Sequence, residues 1–147
     1  KNLSVEKAVL RALYHDAAEI LTGDMPTPVK YRKEELKTAY KKVEKEAEER
    51  LLSTLPQYLT EDFEKVFFPE DYETLAYENT LIKAADKLSA LIKCEEALRA
   101  GNQEFSTAAM STRKKVEEMA EELPELKCFM EDFLPEYGKT LDELTEE

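Results

Sequence analysis

The sequence lacks several residues and patterns that identify common protein classes. It contains no tryptophan, one histidine, three glycines and two cysteines in 147 residues. Two cysteines are too few for a disulfide scaffold, so Cys94 and Cys128 are predicted to be reduced core thiols of a cytoplasmic protein. With a single histidine in the chain, any histidine chemistry must use His15.

Long apolar runs and excess basic charge are also missing. No run approaches the ~20 apolar residues of a typical transmembrane helix, and the first apolar residues are interleaved with charge, unlike a signal peptide. There are 21 Lys and Arg residues against 33 Asp and Glu, a formal net charge of −12. A nucleic-acid polymer or an anionic membrane is therefore not expected as a partner. A small phosphate ester is compatible with this charge, since a bound metal can reverse the local sign.

Helical periodicity runs through almost the whole sequence, which we take as one domain of residues 1–147. Apolar residues recur at three- and four-residue steps and show no alternation typical of β-strands. Ser4 is expected to cap the first helix and Gly23 to end it. Two prolines then predict an extended loop over residues 24–28. Further helices are predicted at residues 33–55, 61–67, 72–100, 105–123 and 125–134, with a capping box at residues 140–143 that opens a short last helix.

Acidic residues surround the single histidine on the first predicted helix. His15 and Asp16 are adjacent, and Glu19 can share their face because it follows at helical spacing. An acidic helix end exposed to solvent is one interpretation. A metal site is the other, since Asp16 lies close to the apolar stripe, where a carboxylate is costly unless it is paired or bound to a cation. Imidazole and carboxylate together suit Mn, Co, Fe or Zn.

A second candidate carboxylate, Asp86, lies near the middle of the long helix predicted at residues 72–100. Aspartate is a mediocre helix former, and the small residues Ala84 and Ala85 beside it would let another helix approach closely. A solvent-facing aspartate is the competing interpretation. The residue pattern alone leaves both open.

The segment that contains this histidine resembles a known signature. Residues 14–31, YHDAAEILTGDMPTPVKY, resemble the signature of HD-domain 5′-deoxynucleotidases, with both prolines and the glycine in register. Similar segments follow at residues 83–88, 91–94, 101–105, 129–135 and 141–143. The resemblance therefore covers essentially the whole chain.

The resemblance implies a fold, a reaction and a cofactor. The fold would be an all-α HD-domain helical bundle of about six helices, and the state a homodimer. The reaction would be hydrolysis of (deoxy)nucleoside 5′-monophosphates, with one divalent metal: Mn, Co, Fe, Zn or Mg. The family positions map to metal ligands at His15, Asp16 and Asp86, to a catalytic Glu19, and to a loop acid near the substrate at Asp24. Lys30 is a candidate phosphate contact, for which solvent exposure is the competing interpretation.

The sequence departs from the family pattern in one respect. The family's first metal-binding histidine has no counterpart. The family also places an arginine and a tryptophan, both of which contact the nucleotide, before the first helix of this sequence, and the sequence contains no tryptophan. Either N-terminal helices are missing, or the chain is a degenerate relative. We expect weak metal binding, little hydrolysis, and exposed apolar residues on the first and long helices. The alternatives are an HD-type hydrolase of another phosphoester and a non-catalytic acidic helical interaction module.

Overall fold

The structure, a computed structural model, describes residues 3–30, 32–70 and 72–145. Its α-helices are α1 (Val5–Tyr14), α2 (Glu19–Thr22), α3 (Thr27–Lys30), α4 (Glu34–Ser53), α5 (Gln57–Phe67), α6 (Tyr72–Arg99), α7 (Ser106–Ala120), α8 (Pro124–Asp132) and α9 (Leu141–Thr145). Two 3-10 helices lie at Gln103–Phe105 and Leu134–Gly138. No strand occurs in the described ranges, and the all-α fold class is confirmed. Within the same ranges, no helix is long and apolar enough to cross a membrane.

The chain divides into two compact units, Lys1–Ala76 and Tyr77–Glu147. In the first unit, α4 contacts α2, α3 and α5, and α1 packs against α5. The Tyr14 ring meets the Phe63 ring edge to face, with 5.1 Å between centroids. The buried apolar residues described in this unit are Ala18, Tyr40, Ala47 and Leu52.

Helix α1 contributes no buried residue to the first unit. Its apolar residues Val5, Val9 and Leu13 are 74%, 59% and 69% exposed. The expectation of exposed apolar residues is therefore confirmed for the first helix. It is wrong for the long helix α6, whose described large apolar residues are all buried or half-buried.

The second unit has a connected core. Leu91 of α6 and Val116 of α7 are fully buried at its centre. The other buried members of this cluster are Ala84, Leu88, Leu123, Leu126 and Leu134. Burial of these apolar side chains in one cluster therefore accounts for the packing of this unit.

Local capping interactions agree with the sequence at both ends of the chain. The Ser4 hydroxyl accepts from the Lys7 amide at 3.4 Å, which begins α1. The Thr140 hydroxyl accepts from the Glu143 amide at 3.3 Å, and the Glu143 carboxylate accepts from the Thr140 amide at 2.7 Å. The predicted N-cap and capping box are therefore confirmed.

The two cysteines are both free, as predicted, but they differ in environment. Cys94 is buried and Cys128 is exposed. The prediction of two core thiols is wrong for Cys128, whose thiol donates to the Asp132 carboxylate at 3.1 Å. Its position on the outer face of α8 explains the difference, because half of a surface helix faces solvent.

Candidate active site

The first predicted helix is interrupted at the His15–Asp16 pair. Helix α1 ends at Tyr14, and α2 begins at Glu19. In the intervening turn, the Ala17 amide donates to the Tyr14 carbonyl at 3.0 Å and the Glu19 amide to the Asp16 carbonyl at 2.9 Å. These bonds span three residues instead of four, which tightens the backbone. The prediction of one continuous helix through this segment is therefore wrong.

The turn fixes the orientation of the His15 ring. Its Nδ1 lies 2.7 Å from the Ala12 carbonyl oxygen. A carbonyl only accepts hydrogen bonds, so this contact requires a proton on Nδ1. The other ring nitrogen, Nε2, lies 3.0 Å from Oδ2 of Asp16. The pair is accessible, since the side chains of His15 and Asp16 are 35% and 55% exposed; the expectation of a buried Asp16 is wrong.

This pair fits a divalent metal in part. An imidazole whose Nδ1 donates to a backbone carbonyl presents Nε2 as a ligand, and this is the usual outer-shell arrangement at metal sites. The Nε2–Oδ2 distance of 3.0 Å is that of a direct His–Asp pair, and both atoms are of the kind that would also bind a divalent cation. However, the described residues contain no group of three or more His, Cys, Asp or Glu side chains that could hold a metal ion. Within the part of the chain that the structure describes, His15 and Asp16 are thus a pair of potential donors.

Asp86, the third predicted ligand, lies on α6 in the second unit. Its Oδ2 is 2.9 Å from the Lys87 ammonium, and both side chains are 42% exposed. Ala84 beside it is buried, whereas Ala85 is exposed. The small residues thus flank a half-exposed carboxylate that has a cation next to it.

Glu19, the predicted catalytic residue, begins α2 among other charges. Burial raises the pKa of its carboxyl group, and the negative charges of Asp16 and Asp24 raise it further, while Lys30 opposes them. These charges act on Glu19 because they surround the same short segment. The structure therefore brings Asp16, Glu19, Asp24 and Lys30 into one electrostatic neighbourhood.

The loop after α2 differs from its predicted form. Gly23 adopts a φ of 71°, and its amide donates to the Glu19 carbonyl at 2.9 Å, so it ends the helix as predicted. Asp24 is exposed. The extended loop predicted for residues 24–28 is wrong for residues 27 and 28, which begin α3. The Pro26 carbonyl accepts from the Val29 and Lys30 amides at 2.8 and 3.1 Å. Proline is tolerated in a first helical turn because its missing N–H would have no partner there.

Known proteins match the chain over nearly its full length. The family model described as 5′-deoxynucleotidase YfbR-like matches residues 1–137. The chain belongs to this family. Relatives named 5′-deoxynucleotidase include one from Shewanella oneidensis, 44% identical over 97% of this chain and 71% of its own length. Another from Pectobacterium atrosepticum is 40% identical over 99% and 71%, and one from Photorhabdus laumondii is 41% identical over 98% and 71%.

The match to the 5′-deoxynucleotidase family contains every predicted site position. His15, Asp16, Glu19, Asp24, Lys30 and Asp86 all lie within residues 1–137. Tyr31, the last residue of the signature segment, lies outside the described residues. The assignment of roles to these positions stays a prediction.

Two residues near this segment had no predicted site role. Tyr40 and Glu44 lie on α4. The Tyr40 hydroxyl donates to the Gly23 carbonyl at 2.8 Å, and Oε1 of Glu44 lies 2.6 Å from the Lys30 ammonium. One sequence signal existed: Tyr40 lies in the apolar stripe of its helix, and a buried tyrosine hydroxyl needs a partner.

The first unit also contains a groove that lies away from the predicted site residues. It has a volume of about 690 Å³ and is lined mainly by residues of α4 and α5, including Lys45, Leu52 and Phe68. None of the predicted site residues lines it. The predicted site residues of this family member are thus separate from this groove.

Proposed function

We propose that this chain carries most of the active site of a metal-dependent phosphohydrolase that releases phosphate from (deoxy)nucleoside 5′-monophosphates. The observation that carries the proposal is the orientation of His15, whose Nδ1 is tied to the Ala12 carbonyl at 2.7 Å. Its Nε2 consequently faces Asp16, within a segment that matches the 5′-deoxynucleotidase family. Curated relatives bearing that name support the substrate class.

His15, Asp16 and Asp86 are proposed to hold one divalent metal, which could be Mn, Co, Fe, Zn or Mg. When bound, such a metal neutralises phosphate charge and lowers the pKa of a bound water. The donor set supports this, because a neutral imidazole and carboxylates suit these ions. His15 is the single histidine of the sequence, so the family's first metal-binding histidine has no counterpart among these residues.

Glu19 is proposed as the group that moves protons. Water attacks phosphorus, the bond to the 5′-oxygen breaks, and the leaving oxygen takes up a proton, giving a nucleoside and inorganic phosphate. A carboxyl group with a raised pKa holds a proton more readily than a glutamate in open solvent, which suits this exchange. The same raised pKa is compatible with Glu19 acting as base or as acid.

Asp24 and Lys30 are proposed to contact the substrate. Asp24 is exposed directly after the Gly23 turn, where a carboxylate can accept from sugar hydroxyls. Lys30 carries the positive charge that a phosphate requires, although its ammonium already pairs with Glu44. The family resemblance further supports a cytoplasmic homodimer.

The test is metal-dependent phosphate release from a panel of deoxynucleoside and ribonucleoside 5′-monophosphates with Mn²⁺ or Co²⁺. The chain is assayed alone and joined to the part of the Shewanella oneidensis relative that lies outside the match. We expect little release by these 147 residues alone and clear release by the joined protein. In the joined protein, Glu19→Ala and Asp86→Ala should each lower kcat/KM by about 10³-fold.

Matched controls are Glu46→Ala on the exposed face of α4 and Asp62→Ala on the exposed face of α5. Both should keep the activity of the joined protein. Strong release by the 147 residues alone would contradict the expected missing ligand. No release by the joined protein with any metal would contradict the proposed function and favour a non-catalytic helical module. Hydrolysis of other phosphoesters, but not of nucleoside 5′-monophosphates, would favour an HD-type hydrolase of another phosphoester.

A further inference from the structure

The segment that carries Asp24 is held at both ends by one face of α4. At its start, the Tyr40 hydroxyl donates to the Gly23 carbonyl at 2.8 Å. At its end, the Glu44 carboxylate accepts from the Lys30 ammonium at 2.6 Å. Tyr40 and Glu44 are four residues apart in α4, so they lie on the same face of the helix, one turn apart.

The two anchors are shielded from solvent and lie against each other. Tyr40 is only 7% exposed, and the side chains of Lys30 and Glu44 are 23% and 25% exposed. The Lys30 ammonium lies 4.8 Å from the centre of the Tyr40 ring, within range of a cation–π contact. The Thr22 hydroxyl, 3.4 Å from the Tyr40 hydroxyl, joins the same group. Partial burial makes these polar contacts stronger than equivalent pairs in open solvent.

The tie at Gly23 also reaches the helix that carries the predicted catalytic residue. The Gly23 amide donates to the Glu19 carbonyl at 2.9 Å, so one glycine joins α2 to Tyr40. Asp24 follows directly and is exposed. The hydrogen bonds of the Gly23 backbone therefore constrain its position.

We propose that Tyr40 and Glu44 are positioning residues that fix the Gly23–Lys30 segment, and with it Asp24, for substrate binding. This inference rests on the proposed function. Lys30 acts as an anchor of the segment in addition to its candidate role at the phosphate. Positioning of this kind lowers KM when the positioned group binds the ground state, because the segment is ordered before the substrate arrives.

The first arm of the test is hydrogen exchange with millisecond mixing, which needs neither metal nor activity. The readout is the exchange of the Gly23, Val29 and Lys30 amides in Tyr40→Phe and Glu44→Gln. Loss of one anchoring hydrogen bond should speed this exchange about tenfold. The matched controls are Tyr58→Phe, at a tyrosine that is 79% exposed, and Glu46→Gln on the exposed face of α4; neither should change it.

The second arm is a double-mutant cycle on deoxynucleoside 5′-monophosphate hydrolysis by the joined protein described above. Tyr40→Phe should raise KM about tenfold and leave kcat within about twofold. In an Asp24→Asn background, Tyr40→Phe should have no further effect on KM, since the group it positions is already lost. A merely structural role would instead change KM equally in both backgrounds.

Unchanged amide exchange in both Tyr40→Phe and Glu44→Gln overturns the inference, whatever the activity. An equal KM effect of Tyr40→Phe with and without Asp24 overturns the positioning role even if exchange increases. Failure of the wild-type joined protein to hydrolyse any phosphoester is a failure of the proposed function, and the exchange arm then decides the anchoring by itself. Glu44→Gln keeps the test valid if Tyr40→Phe does not fold, because Glu44 is only partly buried.

Discussion

The two units of the chain use their apolar residues differently. In the unit Lys1–Ala76, helix α1 buries none of its residues, and Val5 and Leu13 are 74% and 69% exposed. In the unit Tyr77–Glu147, Leu91 and Val116 are fully buried in one connected cluster. Five of the six predicted site residues belong to the first of these units, and only Asp86 belongs to the second. Apolar burial and candidate chemistry are thus concentrated in different parts of the chain, which is consistent with uneven local stability.

The largest expected effect on the free energy of unfolding distinguishes a buried leucine of the second unit from an exposed leucine of the first. Leu91→Ala removes a side chain with no exposed surface, so we expect a loss of about 3 kcal/mol in the free energy of unfolding. Leu13→Ala makes the same chemical change at a 69% exposed position, and its effect should stay within about 0.5 kcal/mol. Urea unfolding followed by circular dichroism measures both. Similar losses for the two variants would show that α1 is buried in solution and would remove the contrast.

An intermediate effect is expected where the first unit does bury aromatic surface. Phe63 lies 5.1 Å from Tyr14 and 6.3 Å from Phe67, centroid to centroid. Phe63→Leu should lower the free energy of unfolding by about 1.5 kcal/mol through lost ring contacts. Tyr58→Leu on the same helix is the control, since Tyr58 is 79% exposed. If Phe63→Leu had no more effect than this control, the aromatic cluster would not stabilise the first unit.

The parts of the fold that sequence predicted depend on local interactions. Ser4, Gly23 and the Thr140–Glu143 pair act within four residues of the backbone groups they satisfy, so sequence spacing is sufficient to identify them. The break after Tyr14 and helix α3 were not predicted. Both occur where consecutive residues are compatible with helix and turn alike, and packing against α4 and α5 selects between them.

The candidate site shows the same division. The family resemblance identifies His15, Asp16 and Glu19 as candidate site residues. The helical pattern predicts one uninterrupted helix, which places Asp16 near the apolar stripe, whereas its side chain is exposed. The apolar stripe of α4 contains Tyr40 but does not identify a partner for its hydroxyl, because that partner, the Gly23 carbonyl, lies 17 residues earlier in the chain. A contact at that separation is set by how α2 packs on α4, which periodicity within either helix does not encode.

The smallest expected effect concerns a carboxylate that α4 half-buries. Burial raises the pKa of Glu48 above its ordinary value of 4.5, and the negative charges of Glu44 and Glu49 add to the increase, against the opposing charge of Lys45. A raised pKa in the folded state means that the folded protein is more stable when Glu48 is protonated than when it is ionised. This stabilisation is lost as the pH rises through the folded-state pKa.

Glu48→Gln should therefore raise the free energy of unfolding more at about pH 7.5, well above the ordinary pKa of 4.5, than at about pH 4, below it. The gain should be smaller than the loss at Phe63, because Glu48 is only partly buried. Urea unfolding at the two pH values measures it, with Glu46→Gln as the exposed control on the same helix. A gain that is equal at both pH values would show that amide substitution, and not charge, is responsible, and α4 would then carry no electrostatic strain at this position.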